Sequence, residues 1–312
     1  MKNFSKGRNF FFAFGLVLGG LLLIYQIILS IKSINDYSLP NTNIIHLFFA
    51  LLFIITAIFF QILSWIILIY DRNLIEKSRI IELIKGYAFS FLPRYIPGSI
   101  WGYISRSEWL YQKFSVSYNK SNSTSILELA STITANLIIL FLWINYAYLR
   151  EKLYLTLIFI ITFPILVWLL IRALFTIINK FKIKIFNFKF IELNSATLTQ
   201  WLISNLLFSF HWFLYANCFI QVLIFLGNEP IKIIDSMFAT CLSWLIGFAI
   251  FFVPAGIGFR EASLSLILKD ILIINIEIIP IAAIIFRFLS ILGEITWILL
   301  KFVKTKKPKK IK

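Results

Sequence analysis

Long apolar runs separated by short polar connections extend from about residue 10 to about residue 300. A helix of roughly 20 apolar residues crosses the hydrocarbon core of a bilayer, and most of these runs reach that length. The pattern predicts helices at about 10–31, 44–70, 125–146, 153–172, 197–226, 235–253 and 279–301. Strands of a membrane barrel would show short alternating segments instead. We therefore expect an all-α, polytopic integral membrane protein with about 6–8 transmembrane helices.

Composition agrees with this interpretation. Hydrophobic residues make up 60% of the 312 residues and charged residues only 14%, and the mean hydropathy is +0.89. A soluble domain of this length would be far more polar. We predict a single transmembrane domain over residues 1–312, embedded over about 10–300, with a basic cytoplasmic tail at 301–312. The run at 10–31 is longer than the apolar core of a signal peptide, so an uncleaved first helix is expected.

The formal net charge of +16 raises the question of nucleic-acid binding. The lysines and arginines lie in the connections and at the two ends, which is typical of cytoplasmic loops of membrane proteins. Topology therefore explains the charge, and no nucleic-acid partner is expected. The same rule places the N- and C-termini in the cytoplasm.

Two apolar stretches are interrupted by proline and glycine. The breaks are Pro93, Pro97 and Gly98 in the first half and Pro254, Gly256 and Gly258 in the second. Backbone freed from helical hydrogen bonding inside a bilayer must be satisfied by protein or by a water-filled cavity. A helix that restarts at Phe259 or Arg260 would point unpaired N–H groups and its positive dipole end into such a cavity. Each break is therefore a candidate binding site.

Each break leaves two topologies open. Residues 71–124 either dip into the membrane as a helical hairpin or lie at its surface as an amphipathic helix. Residues 235–275 either form a hairpin that enters from the outside or cross twice, as 235–253 and 260–278. The hairpin is favoured, because a second crossing would place Lys269 and Asp270 inside a span. Two hairpins entering from opposite sides would form an inverted repeat, as in secondary transporters.

Charged residues beside the breaks are suited to an anion. These candidates are Arg94, Arg106, Arg260 and Arg287, with Glu128, Glu261 and Glu294 as counter-charges. The planar guanidinium group can donate two parallel hydrogen bonds to a phosphate and stays charged. Arg287 and Glu294 are seven residues apart and share a helix face. The alternative is that these charges form structural ion pairs between helices.

Sequence motifs of enzymes are absent. The chain has no G-x-x-x-x-G-K-[ST], H-E-x-x-H or G-x-S-x-G sequence and no Cys/His cluster. Cys218 and Cys241 lie inside apolar segments as packed side chains. We therefore expect no catalytic residue, no cofactor and no metal, and a protein that is not an enzyme.

Several of these short motifs, taken in order, resemble the flippase-like family, the lysylphosphatidylglycerol synthase transmembrane region. They are Arg94-Tyr95-Ile96-Pro97-Gly98-Ser99-Ile100-Trp101, Arg106, Glu128, and Pro254-Ala255-Gly256-Ile257-Gly258-Phe259-Arg260-Glu261. The resemblance covers about residues 10–300. One departure is Ala255, where the family has glycine, and alanine tolerates fewer backbone conformations.

The resemblance implies a protein of the bacterial cytoplasmic (inner) membrane that moves or binds a lipid. An anionic phospholipid or a polyprenyl-linked lipid fits, and a homo-oligomer is left open. In some relatives this region precedes a soluble aminoacyl transferase domain, whereas this sequence ends in lysines, so lysine transfer is not expected. Two alternatives remain: an intramembrane glycosyl or acyl transferase with Glu128 or Glu261 as base, and a non-transporting membrane partner of a glycosyltransferase.

Overall fold

The computed structural model describes residues 21, 24, 25, 28, 43–69, 77–95, 101–149, 153–180, 196–250, 253–271 and 278–299. Over these ranges the chain forms nine α-helices and no β-strand. They are α1 (Ile45–Ile69), α2 (Lys77–Phe89), α3 (Trp101–Phe114), α4 (Tyr118–Ile144), α5 (Leu153–Lys180), α6 (Leu198–Phe225), α7 (Ile233–Ala249), α8 (Phe259–Ile271) and α9 (Ile279–Leu299). The predicted basic tail, Pro97 and Gly98, and most of the predicted helix at 10–31 lie outside the described residues.

Five of these helices are long and apolar enough to cross a membrane: α1, α4, α5, α6 and α9. Helix α5 is the clearest case. Its most apolar 18-residue window has a mean hydropathy of 2.6, yet only 11% of that window is buried inside the protein. An apolar helix exposed on most of its surface is stable in lipid and not in water. The predicted all-α, multi-pass membrane architecture is therefore confirmed.

The third predicted helix begins earlier than expected. The polar residues before 125 indicated a connection, but α4 starts at Tyr118. Ser117 caps it, because its side chain accepts a hydrogen bond from the backbone N–H of Lys120 at 3.3 Å. Ser121, Ser123 and Thr124 are then buried inside the protein. Glu128 consequently lies in the third turn of this helix, and the prediction that it stands near the start is wrong.

Helix α5 also exceeds its predicted bounds, since it continues past residue 172 to Lys180. Arg172, at the end of the predicted segment, lies over the ring of Trp168 at 4.7 Å within the helix. Pro164 lies inside α5, and its carbonyl oxygen accepts a 2.8 Å hydrogen bond from the indole N–H of Trp201 on α6. A neighbouring helix thus satisfies a backbone group close to the proline.

The chain divides into two compact units by internal contacts. Unit 1 comprises Met1–Ala57, Leu92–Trp101 and Trp212–Ile295. Unit 2 comprises Ile58–Phe91, Gly102–His211 and Thr296–Lys312. Each unit therefore takes residues from distant parts of the sequence.

Unit 2 contains a buried hydroxyl cluster among its helices. The Oγ of Ser204 lies 2.6 Å from that of Ser64 and 2.9 Å from that of Ser131. Helices α2 and α3 contact each other closely in this unit, because Gly86 leaves space for the ring of Trp109. The indole N–H of Trp109 donates to the carbonyl of Glu82 at 3.2 Å. The two helices on either side of the first break therefore pack against each other.

Unit 1 contains the second break, which joins α7 to α8. A short 3-10 turn, Pro254–Gly256, replaces the helix there, and α8 starts at Phe259. The two helices pack along each other as a hairpin. Helix α8 has 13 residues, so it is about 20 Å long, whereas a hydrocarbon core is about 30 Å thick. This length favours the hairpin over two full spans.

Three residues of the second break have left-handed backbone. Ala255 has a φ of 49°, Gly256 of 67° and Gly258 of 82°. Glycine takes such values without penalty, whereas alanine does so at a steric cost. Ala255 is therefore a strained position in this turn.

Candidate functional site

A small cleft lies between α7, α8 and the neighbouring helices of unit 1. Residues that line it include Tyr215, Thr240, Trp244, Arg260, Glu261 and Arg287. Its cavity volume is about 20 Å³, which is enough for one water molecule. Three predicted site residues, two arginines and one glutamate, therefore surround one cavity.

Glu261 is held by the start of its own helix. Its side chain is buried, and Oε2 accepts a 2.7 Å hydrogen bond from the backbone N–H of Gly258. Gly258 directly precedes α8, so Glu261 stands three residues after the cap and forms half of a capping box. The backbone N–H of Gly258, directly before the restarting helix, is therefore bonded to a carboxylate of α8.

Arg287 of α9 ties this carboxylate to the break. Its Nε lies 3.3 Å from Oε1 of Glu261, and its Nη2 donates to the backbone carbonyl of Ala255 at 3.3 Å. Neither the Nε nor that Oε1 has a hydrogen-bond partner. The contact is thus an ion pair without directed hydrogen bonding.

Arg260 has a different environment. Its side chain crosses Gly247 so closely that a Cβ at that glycine would lie 2.3 Å from the arginine Cγ. The guanidinium carbon lies 5.5 Å from the ring centroid of Trp244. The buried Nε has no hydrogen-bond partner, and no carboxylate of the described chain forms an ion pair with Arg260.

The first break reaches the same unit through its 3-10 turn, Leu92–Tyr95, which includes Pro93. Arg94 donates from Nη1 to Oε1 of Glu294 at 3.1 Å, and the hydroxyl of Tyr95 donates to Oε2 at 2.9 Å. This turn also contacts the turn Pro254–Gly256. Unit 1 therefore brings the turn Leu92–Tyr95 and the turn Pro254–Gly256 together beside α9.

Arg287 and Glu294 share a face of α9, as predicted, but they do not pair with each other. Arg287 pairs with Glu261 and Glu294 with Arg94. The cluster consists of Arg94, Arg260, Arg287, Glu261 and Glu294. Each glutamate pairs with one arginine, so Arg260 has no carboxylate of this cluster as its partner.

Arg106 and Glu128 belong to unit 2. The Nη1 of Arg106 donates to Oε1 of Glu128 at 2.8 Å, and the same oxygen accepts a 2.6 Å hydrogen bond from the hydroxyl of Tyr87. Both charged residues are 2% exposed. The guanidinium carbon lies 4.4 Å from the ring centroid of Tyr87 and 4.6 Å from that of Tyr103. Protein groups thus surround this pair, which matches the structural alternative for these charges.

Sequence reasoning overlooked three residues: Trp244, which lines the cleft, Gly247, which lies under Arg260, and Tyr95, which donates to Glu294. Tyr95 was quoted within a motif without a role, and Trp244 looked like any aromatic residue of a membrane helix. Gly247 matters because it makes room for Arg260. A glycine seven residues before a proline break was the one available signal.

No metal cluster is evident in the described part of the chain, where no three or more His, Cys, Asp or Glu residues group suitably. Comparison with known proteins does not assign the chain to a family. No family model matches the sequence, and no curated protein matches it either. The fold defines a class, a multi-pass helical membrane protein, and the resemblance to the flippase-like family stays a prediction.

Proposed function

We propose that this protein binds the anionic headgroup of a lipid beside its two broken turns and moves that lipid across the membrane. One observation carries the proposal: the turn Leu92–Tyr95 contacts the turn Pro254–Gly256, and the adjoining cleft holds Arg260, which forms no ion pair with any described carboxylate. Broken helices that meet within a helical membrane protein are typical of transporter binding sites.

Charge supports an anion as the ligand. A guanidinium group without a carboxylate is costly inside a membrane protein unless something negative binds it. Arginine suits a phosphate group because its fork matches two phosphate oxygens. The headgroup of an anionic phospholipid or a polyprenyl-linked lipid provides such a phosphate, while the tails remain in the bilayer.

The proposed place in the cell is the bacterial cytoplasmic membrane, with both termini cytoplasmic. The basic residues of the connections support this orientation. The proposed partner is the lipid itself, and a glycosyltransferase or another envelope-synthesis protein is a candidate second partner.

Lipid exchange in reconstituted vesicles tests the proposal. Purified protein is placed in vesicles that contain fluorescent phosphatidylglycerol or fluorescent phosphatidylcholine, and a membrane-impermeant quencher reports how much label reaches the outer leaflet. We expect faster exchange of the anionic lipid than in protein-free vesicles, and loss of that gain in Arg260→Gln. Lys269→Gln removes an exposed charge from the same helix and should retain it. Exchange equal to protein-free vesicles for both lipids would contradict the proposal.

A further inference from the structure

Glu261 shares the cleft with the two arginines that suit a phosphate. Arg260, Glu261 and Arg287 all line the same cavity, and its volume of about 20 Å³ admits only a water molecule. The carboxylate itself occupies space between groups that would otherwise face an anion.

The two oxygens of Glu261 are held unequally. Oε2 accepts a 2.7 Å hydrogen bond from the backbone N–H of Gly258, whereas Oε1 lies 3.3 Å from Nε of Arg287 and has no hydrogen bond. Strong arginine–carboxylate pairs have N–O distances of about 2.7–2.9 Å. The bond to Gly258 is therefore the firm one, and the contact with Arg287 is the one that a ligand can replace.

We infer that Arg260 and Arg287 form a two-arginine phosphate site, and that Glu261 is an internal anion which holds Arg287 until a phosphate displaces it. The inference rests on the proposed function for the location of the site. It adds a second ligand-binding arginine and a competitor that the protein itself supplies.

The chemistry names the ligand class. Two guanidinium groups offer several N–H donors in planar forks, which match the oxygens of a phosphate monoester or diester. A carboxylate on Arg287 satisfies only part of this donor set, and Nε of Arg260 remains without a partner. The shared ligand chemistry is thus a phosphate group, carried either by a lipid headgroup or by a soluble phosphate.

A purely structural role of Glu261 predicts the opposite effect on ligand binding. If Glu261 served only as a helix cap, its removal would loosen the site and weaken binding. Glutamine can also accept the N–H of Gly258, since capping boxes use either residue. Glu261→Gln therefore keeps the cap, removes the competing charge and separates the two roles.

Ligand binding to the purified full chain in detergent provides the test, by calorimetry with inorganic phosphate, dihexanoyl phosphatidylglycerol and dihexanoyl phosphatidylcholine. Glu261→Gln should bind the phosphate-bearing anionic probes with a Kd about tenfold lower than the wild-type chain, because one charge-assisted contact no longer competes. Arg260→Gln and Arg287→Gln should each raise the Kd about tenfold or more.

Two controls match these changes on exposed positions of the same helix. Asp270→Asn makes the same carboxylate-to-amide change as Glu261→Gln, and Lys269→Gln removes a positive charge as Arg260→Gln does. Both residues are exposed at the end of α8. Each control should keep the wild-type Kd, and a Kd lowered by Asp270→Asn as much as by Glu261→Gln would overturn the inference in favour of a general charge effect.

The outcomes separate the inference from the proposed function. An unchanged or higher Kd in Glu261→Gln, with Arg260→Gln still weakened, overturns the internal-anion role alone. If Glu261→Gln does not fold, Arg287→Gln decides, because an unchanged Kd there excludes the second arginine. Tighter binding of phosphatidylglycerol in Glu261→Gln supports a lipid source. If the Kd values of the variants change as expected for inorganic phosphate, and no binding of phosphatidylglycerol is detected, the inference is supported and lipid translocation is contradicted.

Discussion

Unit 1 and unit 2 each contain a cluster of arginine and glutamate residues, and the two clusters differ in the balance of their charges. In unit 2, one arginine meets one glutamate, and Tyr87 and Tyr103 cover the guanidinium. In unit 1, Arg260 and Arg287 share a cavity with Glu261, and Arg260 forms no ion pair with a carboxylate of the described residues. The comparison shows that an arginine inside a membrane protein is not by itself a binding residue. What distinguishes the second cluster is an excess of positive charge beside a cavity.

The largest effect is expected from breaking the buried ion pair of Arg106 and Glu128. Arg106→Met should destabilise the protein by about 3–5 kcal/mol, because Glu128 would remain buried without a counter-charge. The double variant Arg106→Met with Glu128→Gln should recover most of that loss, since it removes both charges and keeps an acceptor for Tyr87. Unfolding in graded denaturing detergent measures both. A double variant no more stable than Arg106→Met would contradict this account.

Two glycines allow the units to be compared under the same change. A Cβ at Gly86 would lie 2.3 Å from the ring of Trp109 in unit 2, and a Cβ at Gly247 would lie 2.3 Å from Cγ of Arg260 in unit 1. Alanine at either position should cost about 1–3 kcal/mol through overpacking. Only Gly247→Ala should also weaken phosphate binding, because it displaces Arg260. Equal loss of binding in both variants would argue against a specific role for Arg260.

Arg260→Gln should change the stability of the ligand-free chain little, by about 1 kcal/mol or less in either direction, because no carboxylate loses its partner and an uncompensated charge is removed. The variant should nevertheless lose anion-dependent lipid exchange. Unfolding in detergent and lipid exchange in vesicles, measured on the same preparation, check this combination. It contrasts with Arg106→Met, for which a large loss of stability is expected. A loss of stability as large as that of Arg106→Met would place Arg260 among the structural charges.

Ala255→Gly tests the strained turn. Glycine removes the cost of the left-handed backbone, about 1–2 kcal/mol, and adds an entropic cost of about 0.5–1 kcal/mol. The expected net change is a stabilisation of about 1 kcal/mol or less, with exchange retained. A clear loss of stability would show that the Ala255 methyl group contributes packing that offsets the strain.

The smallest effect concerns the exposed carboxylate of Glu108 on α3. Hydrogen bonds from Tyr118 and Gln112 lower the pKa of this carboxyl below its usual value. A pKa lowered by folding adds stability above the unfolded-state pKa, and this stability is lost as pH falls through the folded-state pKa. Melting temperatures between about pH 6 and pH 3 should therefore decline slightly less in Glu108→Gln than in the wild-type chain. Identical declines would show that these hydrogen bonds contribute nothing measurable.

Much of the helical architecture was predictable because hydrophobicity dominates it. The segments predicted at 197–226 and 279–301 match α6 and α9 within two residues. The start of α4 was missed because hydroxyl groups there bond to carbonyls of the helix itself, as when Ser123 donates to the carbonyl of Asn119 and Thr124 to that of Lys120. A polar segment inside a protein cannot be told from a loop until its packing is known.

The candidate site was predictable only in part. The sequence indicated the glutamates as counter-charges, but Arg94 and Glu294 are 200 residues apart, and nothing local couples them. Arg287 and Glu294 share a helix face, as the spacing predicted, but the spacing did not indicate that each pairs with a residue of another segment. Ion pairing depends on distances of a few ångströms, which periodicity along one helix does not specify.

Sequence alone determined the class of protein and the position of its second break. Long apolar runs require lipid or a core around them, and Pro254 with two nearby glycines cannot continue a membrane helix unaided. Tertiary structure decided which charges cancel. Whether an arginine keeps its charge available for a ligand depends on the groups that surround it in space. The packing of α7, α8 and α9 leaves Arg260 without an ion pair to any carboxylate in the part of the chain that the structure describes.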